Sequence, residues 1–145
     1  MKKIYFILLA ICLTAIACVK DEPKKEQTLK GTEWKLVGIV DIHTGEMRVL
    51  EPEDCNICYT LMFDTENSFF SYSSSNEMSG DYSADYTTNT ILITNFGGTK
   101  RGERGDGSLW WSIIPAVKSF SWQNDELKLY ATEYYLLFKP FEIIQ

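Results

Sequence analysis

Residues 119–139 read SFSWQNDELKLYATEYYLLFK, and this closing stretch decides the fold class. Polar and apolar side chains alternate along it with the period of half-buried strands. The pattern predicts three strands: Ser119–Gln123, Glu126–Ala131 and Tyr134–Lys139. Turn-forming residues separate them, first Asn124-Asp125 and then Thr132-Glu133. The chain is therefore expected to end in a run of short strands.

Similar short runs continue upstream, each bounded by turn signals. They are Thr32–Val40, Met47–Leu50, Tyr59–Asp64, Ser68–Ser73, Asp81–Tyr86 and Thr90–Asn95. Eight or nine short strands within about 110 residues are typical of an antiparallel barrel or sandwich. One segment differs, because Ser108 could cap a short helix over Leu109–Ala116, with Pro115 making its end irregular. We predict an all-β fold, a small antiparallel β-barrel of about eight strands with one short helix.

The N-terminal segment carries a different signal. Met1-Lys2-Lys3 is basic, and the apolar run Ile4–Ala17 that follows is interrupted only by Thr14. A run this short in this position predicts a signal peptide over residues 1–17 rather than a membrane span. It ends in Ala15-Ile16-Ala17-Cys18, which resembles the bacterial lipobox and implies that Cys18 becomes a lipidated N-terminus.

The residues after this cysteine predict where the protein is displayed. Val19-Lys20-Asp21-Glu22-Pro23 resembles the export signal of Bacteroidota lipoproteins, which implies a lipid-anchored outer-membrane protein exposed on the cell surface. The alternative is a plain charged tether. Residues 18–30 are expected to form a flexible tether, and residues 31–145 the barrel domain.

Charge excludes one class of partner. Twenty acidic and 14 basic residues give −6 overall, and two of the lysines lie in the signal segment. The remaining 12 basic residues against 20 acidic ones leave −8 after residue 17. An acidic chain without a basic stripe does not predict nucleic-acid binding.

The order of features supports a family resemblance. An opening strand with Trp34 is followed by Ser73-Ser74-Ser75-Asn76, Gly80-Asp81-Tyr82, Ile91-Leu92-Ile93 and the short helix. From Leu29 to Pro140 this order resembles the META domain of the HslJ type, and more closely the lipocalin-like lipoproteins of Bacteroidota. The resemblance implies a non-enzymatic accessory or envelope-stress role, with no catalytic residues and no cofactor. Only Asn76 matches the Gly-Cys-Asn turn of the META family.

Cys55-Asn56-Ile57-Cys58 is the sharpest local motif. A structural disulfide or thiol pair is favoured, since a disulfide is the usual fate of paired cysteines in an exported protein. A redox motif would need a following helix, where a strand is predicted instead. Zinc would need more ligands than these cysteines and His43, the single histidine, so no metal is predicted.

The segment from Gly97 to Gly107 is rich in glycine and contains Lys100, Arg101 and Arg104, the only basic spot in the acidic domain. It is expected to be a mobile loop. An anionic partner is the alternative, and Arg104-Gly105-Asp106 also matches the integrin-binding tripeptide. The acidic group Glu51, Glu53 and Asp54 is expected to be a solvated loop.

Aromatic residues offer the last clue to function. Adjacent aromatics on one element cannot all face the core, so some of them are expected at the surface. The candidate ligand contacts are Phe70, Tyr72, Trp110 and Trp111. They define the alternative function, a module that binds a glycan or a small apolar ligand at the barrel mouth.

Overall fold

The computed structural model describes residues 27–141 as a closed antiparallel β-barrel with one short helix. The strands are β1 Thr32–Asp41, β2 Met47–Arg48, β3 Thr60–Phe63, β4 Ser68–Tyr72, β5 Glu77–Asp85, β6 Thr90–Gly98, β7 Ser119–Gln123, β8 Glu126–Tyr130 and β9 Tyr134–Pro140. Eight of them form the barrel wall, and β2 is a two-residue addition to the edge of β1. The predicted all-β barrel of about eight strands is confirmed.

Closure depends on the first strand, which pairs with three others. β1 pairs with β3 from Thr32 to Lys35 and with β9 along nearly its whole length, from Trp34 opposite Pro140 to Asp41 opposite Tyr134. The remaining strands pair with their sequence neighbours. Closure leaves no free edge between β1 and β9, which removes a route to aggregation.

The interior of the barrel is filled with side chains. Alternation along β1 turns Trp34, Leu36 and Val40 inward, and the other strands add large residues to the same cluster. The bulkiest fully buried side chains are Trp34, Phe63, Phe69, Trp110 and Phe138. Each such side chain contributes about 1.5–3 kcal/mol by leaving water.

Leu29 extends the folded domain upstream of its predicted boundary. Its side chain is fully buried in the core, and its backbone N–H donates to the hydroxyl of Tyr86 at 3.0 Å. Leu29 therefore packs with the barrel core although residues 18–30 are expected to form a tether, and the backbone N–H of nearby Gly31 donates to the carbonyl oxygen of Phe63 at 2.6 Å. The predicted signal peptide and the predicted lipidation site Cys18 lie outside the described residues.

The helix, α1, spans Gly107–Ile113 and continues into a 3₁₀ turn at Ile114–Ala116. Asp106, not Ser108, is the N-cap residue, and no side chain caps the helix, which corrects the predicted start. Pro115 lies in the 3₁₀ turn, where the missing N–H of proline is tolerated. No helix within residues 27–141 is long and apolar enough to cross a membrane.

Candidate functional site

Three segments meet at one end of the barrel, which we call the loop end. They are the disulfide loop at residues 55–58, the turn Ser73–Asn76 between β4 and β5, and residues 99–106 between β6 and α1. Ser73, Ser74 and Asn76 are all buried although they are polar. Buried polar groups need partners, so the loop end is organised by hydrogen bonds rather than by apolar packing.

Asn76 ties the turn to the loop that precedes the helix. Its side-chain Nδ2 donates to the carbonyl oxygen of Arg101 at 2.9 Å and to Oε1 of Glu103 at 2.6 Å. Its Oδ1 accepts from the backbone N–H of Arg101 at 2.6 Å and from the hydroxyl of Thr99 at 2.9 Å. These four bonds hold the backbone at residues 99–103 against the barrel.

Glu103 is the second centre of this network. Its carboxylate accepts from the hydroxyls of Ser73 at 2.6 Å and Ser74 at 2.7 Å, and from the indole N–H of Trp111 at 2.6 Å, in addition to Asn76. Burial alone would raise the pKa of Glu103, but the combined hydrogen bonds hold that pKa below its ordinary value. The carboxylate is therefore ionised at neutral pH, with three donors on Oε1 and one on Oε2.

The loop is also fastened at its far end. Asp106 pairs with the guanidinium of Arg48 and accepts from the backbone N–H of Glu51 at 2.9 Å. Arg104 donates from its side chain to the carbonyl oxygen of Ser74 at 3.3 Å. These contacts correct the expectation of a mobile loop. Asp106 of the Arg104-Gly105-Asp106 tripeptide is ion-paired within the protein, whereas Arg104 has no acidic partner among the described residues.

Lys35 holds the disulfide loop on the outside of the barrel. Cys55 and Cys58 are joined by a disulfide, and the Lys35 amine donates to the carbonyl oxygens of both cysteines. Half-burial lowers the pKa of Lys35 because burial disfavours its charge.

Residues 27–141 contain no group of three or more His, Cys, Asp or Glu side chains placed to bind a metal ion.

Two clefts flank the segment from Thr99 to Gly102, which forms a ridge between them. The first cleft, of about 540 Å³, lies between the ridge, the Ser73–Asn76 turn and the disulfide loop, and it includes Tyr72 and Arg104. The second, of about 560 Å³, lies toward the helix and includes Lys100 and Trp111. Arg101 and Asn76 line both clefts, so the two clefts are adjacent and share one wall.

One relative matches the chain along almost its whole length. A Tannerella forsythia protein named "Putative lipoprotein" is 34% identical over 144 residues, which cover 95% of each chain. The chain belongs to this lipoprotein family. No protein-family model matches this chain.

Two solved structures share the fold of this chain. An NMR structure of a protein from Burkholderia xenovorans superimposes with a TM-score of 0.64 at 18% identity, covering 77% of this chain and 83% of that one. The crystal structure of a DUF4847 family protein from Bacteroides vulgatus gives a TM-score of 0.58 at 15% identity, covering 77% and 93%. At these identities the likeness shows the fold alone.

The structure places the four candidate ligand contacts in the two clefts, on the outer surface of the barrel and in the core. Tyr72 lines the first cleft and Trp111 lines the second. Phe70 is half-exposed on the outer face of β4 and lines neither of them. Trp110 is fully buried and donates its indole N–H to Ser71 at 2.9 Å, so it is a core residue and not a surface contact.

Sequence reasoning missed three residues that build the loop end. Glu103 is the only acid between Lys100 and Gly105, and Lys35 is the only charged residue in its strand between Trp34 and Ile39. Asn76 stands out in the sequence only through its match to the META turn. The remaining candidates are surface groups: His43 lies in an exposed turn, and Glu51, Glu53 and Asp54 are exposed as expected for a solvated loop.

Proposed function

We propose that the protein is a non-enzymatic accessory lipoprotein of the outer membrane, anchored through Cys18 after removal of residues 1–17 and displayed on the cell surface. Membership of the lipoprotein family supports the lipid anchor. The Ala15-Ile16-Ala17-Cys18 segment supports the position of lipidation, and Lys20-Asp21-Glu22 supports export to the surface. Several acyl chains on one residue would anchor the protein firmly, since each buried CH₂ adds about 0.8 kcal/mol.

The filled interior is the observation that carries the accessory role. Large side chains, among them Trp34, Phe63 and Phe138, occupy the space in which a hollow barrel would hold a ligand. The barrel thus serves as a rigid scaffold, and recognition falls to its loop end. A META-type envelope role is consistent with this arrangement. Asn76 is the one residue of this chain that matches the Gly-Cys-Asn turn of the META family.

Anchoring is tested with Cys18→Ser, expressed in a Bacteroidota host and followed by membrane fractionation. The variant should leave the outer-membrane fraction, while Cys12→Ser is the matched control and should fractionate as wild type. Retention of Cys18→Ser in the membrane would refute lipidation at this residue. Surface display predicts that protease added to intact cells degrades the anchored protein, and complete protection would refute it.

A second candidate function is supported by the two clefts at the loop end. They are lined by hydroxyl, amide, guanidinium and aromatic groups, the combination that binds sugars, rather than by a continuous apolar surface. This favours a glycan over a small apolar ligand. A thermal-shift screen of neutral and charged oligosaccharides tests it: a rise in Tm with at least one of them is expected, and no rise with any would remove this candidate.

A further inference from the structure

Each of the two clefts combines an aromatic side chain with cationic groups. In the first cleft Tyr72 lies with Arg101 and Arg104, and in the second Trp111 lies with Lys100 and Arg101. Both aromatic rings are partly exposed, so part of each is free to contact a ligand. An aromatic face binds a sugar ring by stacking, and a guanidinium binds a carboxylate through two parallel hydrogen bonds.

The cations at the clefts are not neutralised by neighbouring acids. The ion pairs among residues 27–141 are Lys30–Glu66, Arg48–Asp106 and Lys139–Glu126, and none involves the three cations of the clefts. Glu77 lines the first cleft as a single acid against two arginines. In the second cleft Glu103 adds one negative charge, since its four hydrogen-bond donors are all neutral, and the two clefts together hold three cations against two acids.

This charge stands out against the rest of the domain. The chain after residue 17 carries −8, so an anionic ligand is repelled from most of the surface. A local positive cleft on such a surface directs anionic ligands to one place, and it gives neutral ligands no such attraction. The electrostatics therefore favour a ligand whose negative charges are spaced to meet the ridge.

The clefts are also rigid before any ligand arrives. Asn76 and Glu103 fix the ridge, and the disulfide with Lys35 fixes the opposite wall of the first cleft. A preorganised site avoids the entropic cost of ordering its loops when it binds. Residues 99–106, with three cations and two glycines, would otherwise be poorly suited to specific binding.

We infer that the loop end binds an acidic saccharide, a sugar chain that carries carboxylates. Adjacent sugar rings stack on Tyr72 and Trp111, one in each cleft, while Arg101 on the shared ridge and its neighbours Lys100 and Arg104 bind the carboxylates. The inference rests on the glycan-binding candidate above and specifies the class of glycan.

The test titrates the lipidated, detergent-solubilised protein with an oligogalacturonate, and uses isothermal calorimetry at low and moderate salt. Two probes serve as controls: the methyl ester of the same oligomer, which has the sugar rings without the charge, and poly-L-glutamate, which has the charge without the rings. The oligogalacturonate should bind at least about tenfold more tightly than either, and added salt should weaken its binding.

Arg101→Gln is the informative variant, because Arg101 bonds to Asn76 through its backbone and the ridge stays intact when the side chain changes. It should weaken oligogalacturonate binding about tenfold at an unchanged Tm. Lys118→Gln removes one exposed positive charge away from both clefts and is the matched control, with binding as in wild type.

The outcomes separate the inference from the function on which it rests. Equal binding of the oligomer and its methyl ester would keep the glycan function and overturn the preference for acidic sugars. Equal binding of poly-L-glutamate would overturn the saccharide in favour of an acidic peptide. No binding of any oligosaccharide would overturn both proposals.

Discussion

The side-chain amide of Asn76 donates to the Glu103 carboxylate across 2.6 Å, and this contact joins the hairpin turn after β4 to the loop that leads into the helix. The two residues are 27 positions apart, and each side chain makes three further hydrogen bonds. Those of Asn76 go to Thr99 and Arg101 in the loop. Those of Glu103 come from Ser73 and Ser74 in the turn and from Trp111 in the helix. The pair therefore holds the loop end together as one unit.

Replacement of Asn76 should destabilise this end of the barrel. Asn76→Ala removes four hydrogen bonds and leaves the Arg101 backbone without its partner, so the free energy of unfolding should fall by about 2–4 kcal/mol. Urea denaturation measures the loss. Asn56→Ala, at an exposed position in the disulfide loop, is the control and should change stability by less than about 0.5 kcal/mol. An equal effect of both variants would contradict the central role of Asn76.

Glu103 should make stability depend on pH below its ordinary pKa of 4.5. Its pKa is lowered in the folded state, so the stabilisation is complete above the unfolded pKa and disappears as the pH falls through the lower folded pKa. Glu103→Gln should lower the free energy of unfolding by about 1–2 kcal/mol at pH 7, because a neutral amide accepts these bonds less strongly. It should also flatten the profile as the pH falls below the ordinary pKa of 4.5. Thermal denaturation across this range measures both, and parallel wild-type and variant profiles would refute the assignment.

The two adjacent tryptophans should respond differently to truncation. Trp110→Ala opens a cavity between Tyr59 and Phe138 and should cost about 3–5 kcal/mol of stability. Trp111→Ala removes a partly exposed ring and one bond to Glu103, so about 1–2 kcal/mol is expected. Chemical denaturation of the pair checks the order, and a larger loss at Trp111 would reverse the assignment of core and surface.

Removal of the Cys55–Cys58 disulfide should lower the free energy of unfolding only modestly. The Cys55–Cys58 bond closes a very short loop, and the loop-entropy relation gives a loss of about 2 kcal/mol for the double serine variant. Lys35 should keep the loop in place after the bond is removed, since it binds backbone carbonyl oxygens rather than sulfur. Adding Lys35→Met to the double serine variant should therefore cause a further loss. No further loss would show that the amine does not hold the loop.

Strand alternation predicted most of the barrel because each strand buries one face. Ser119–Gln123 was predicted to the residue, and the boundary of β8 differed by one position. The helix start was less well predicted, since Ser108 looks like a cap locally while the chain enters the helix through Asp106. There the bonds of Asp106 to the distant Arg48 and Glu51 decide the geometry.

The candidate site was harder to predict for a similar reason. The sequence predicts Phe70, Tyr72, Trp110 and Trp111 as one set of ligand contacts, yet Trp110 and Trp111 lie on different sides of a helix only seven residues long. Which side of that helix faces the core depends on how it packs over Tyr59 and Phe138, and these residues are remote in sequence. The sequence order alone does not contain that information.

Local features of the sequence thus determined the strand pattern and the class of fold, because periodicity and turn residues act between neighbours along the chain. The tertiary structure alone decided that the interior is filled, that the glycine-rich loop is fastened and that Tyr72 and Trp111 border one ridge. Those properties depend on side chains such as Asn76 and Glu103, which meet only when the barrel closes and must then find hydrogen-bond partners away from water.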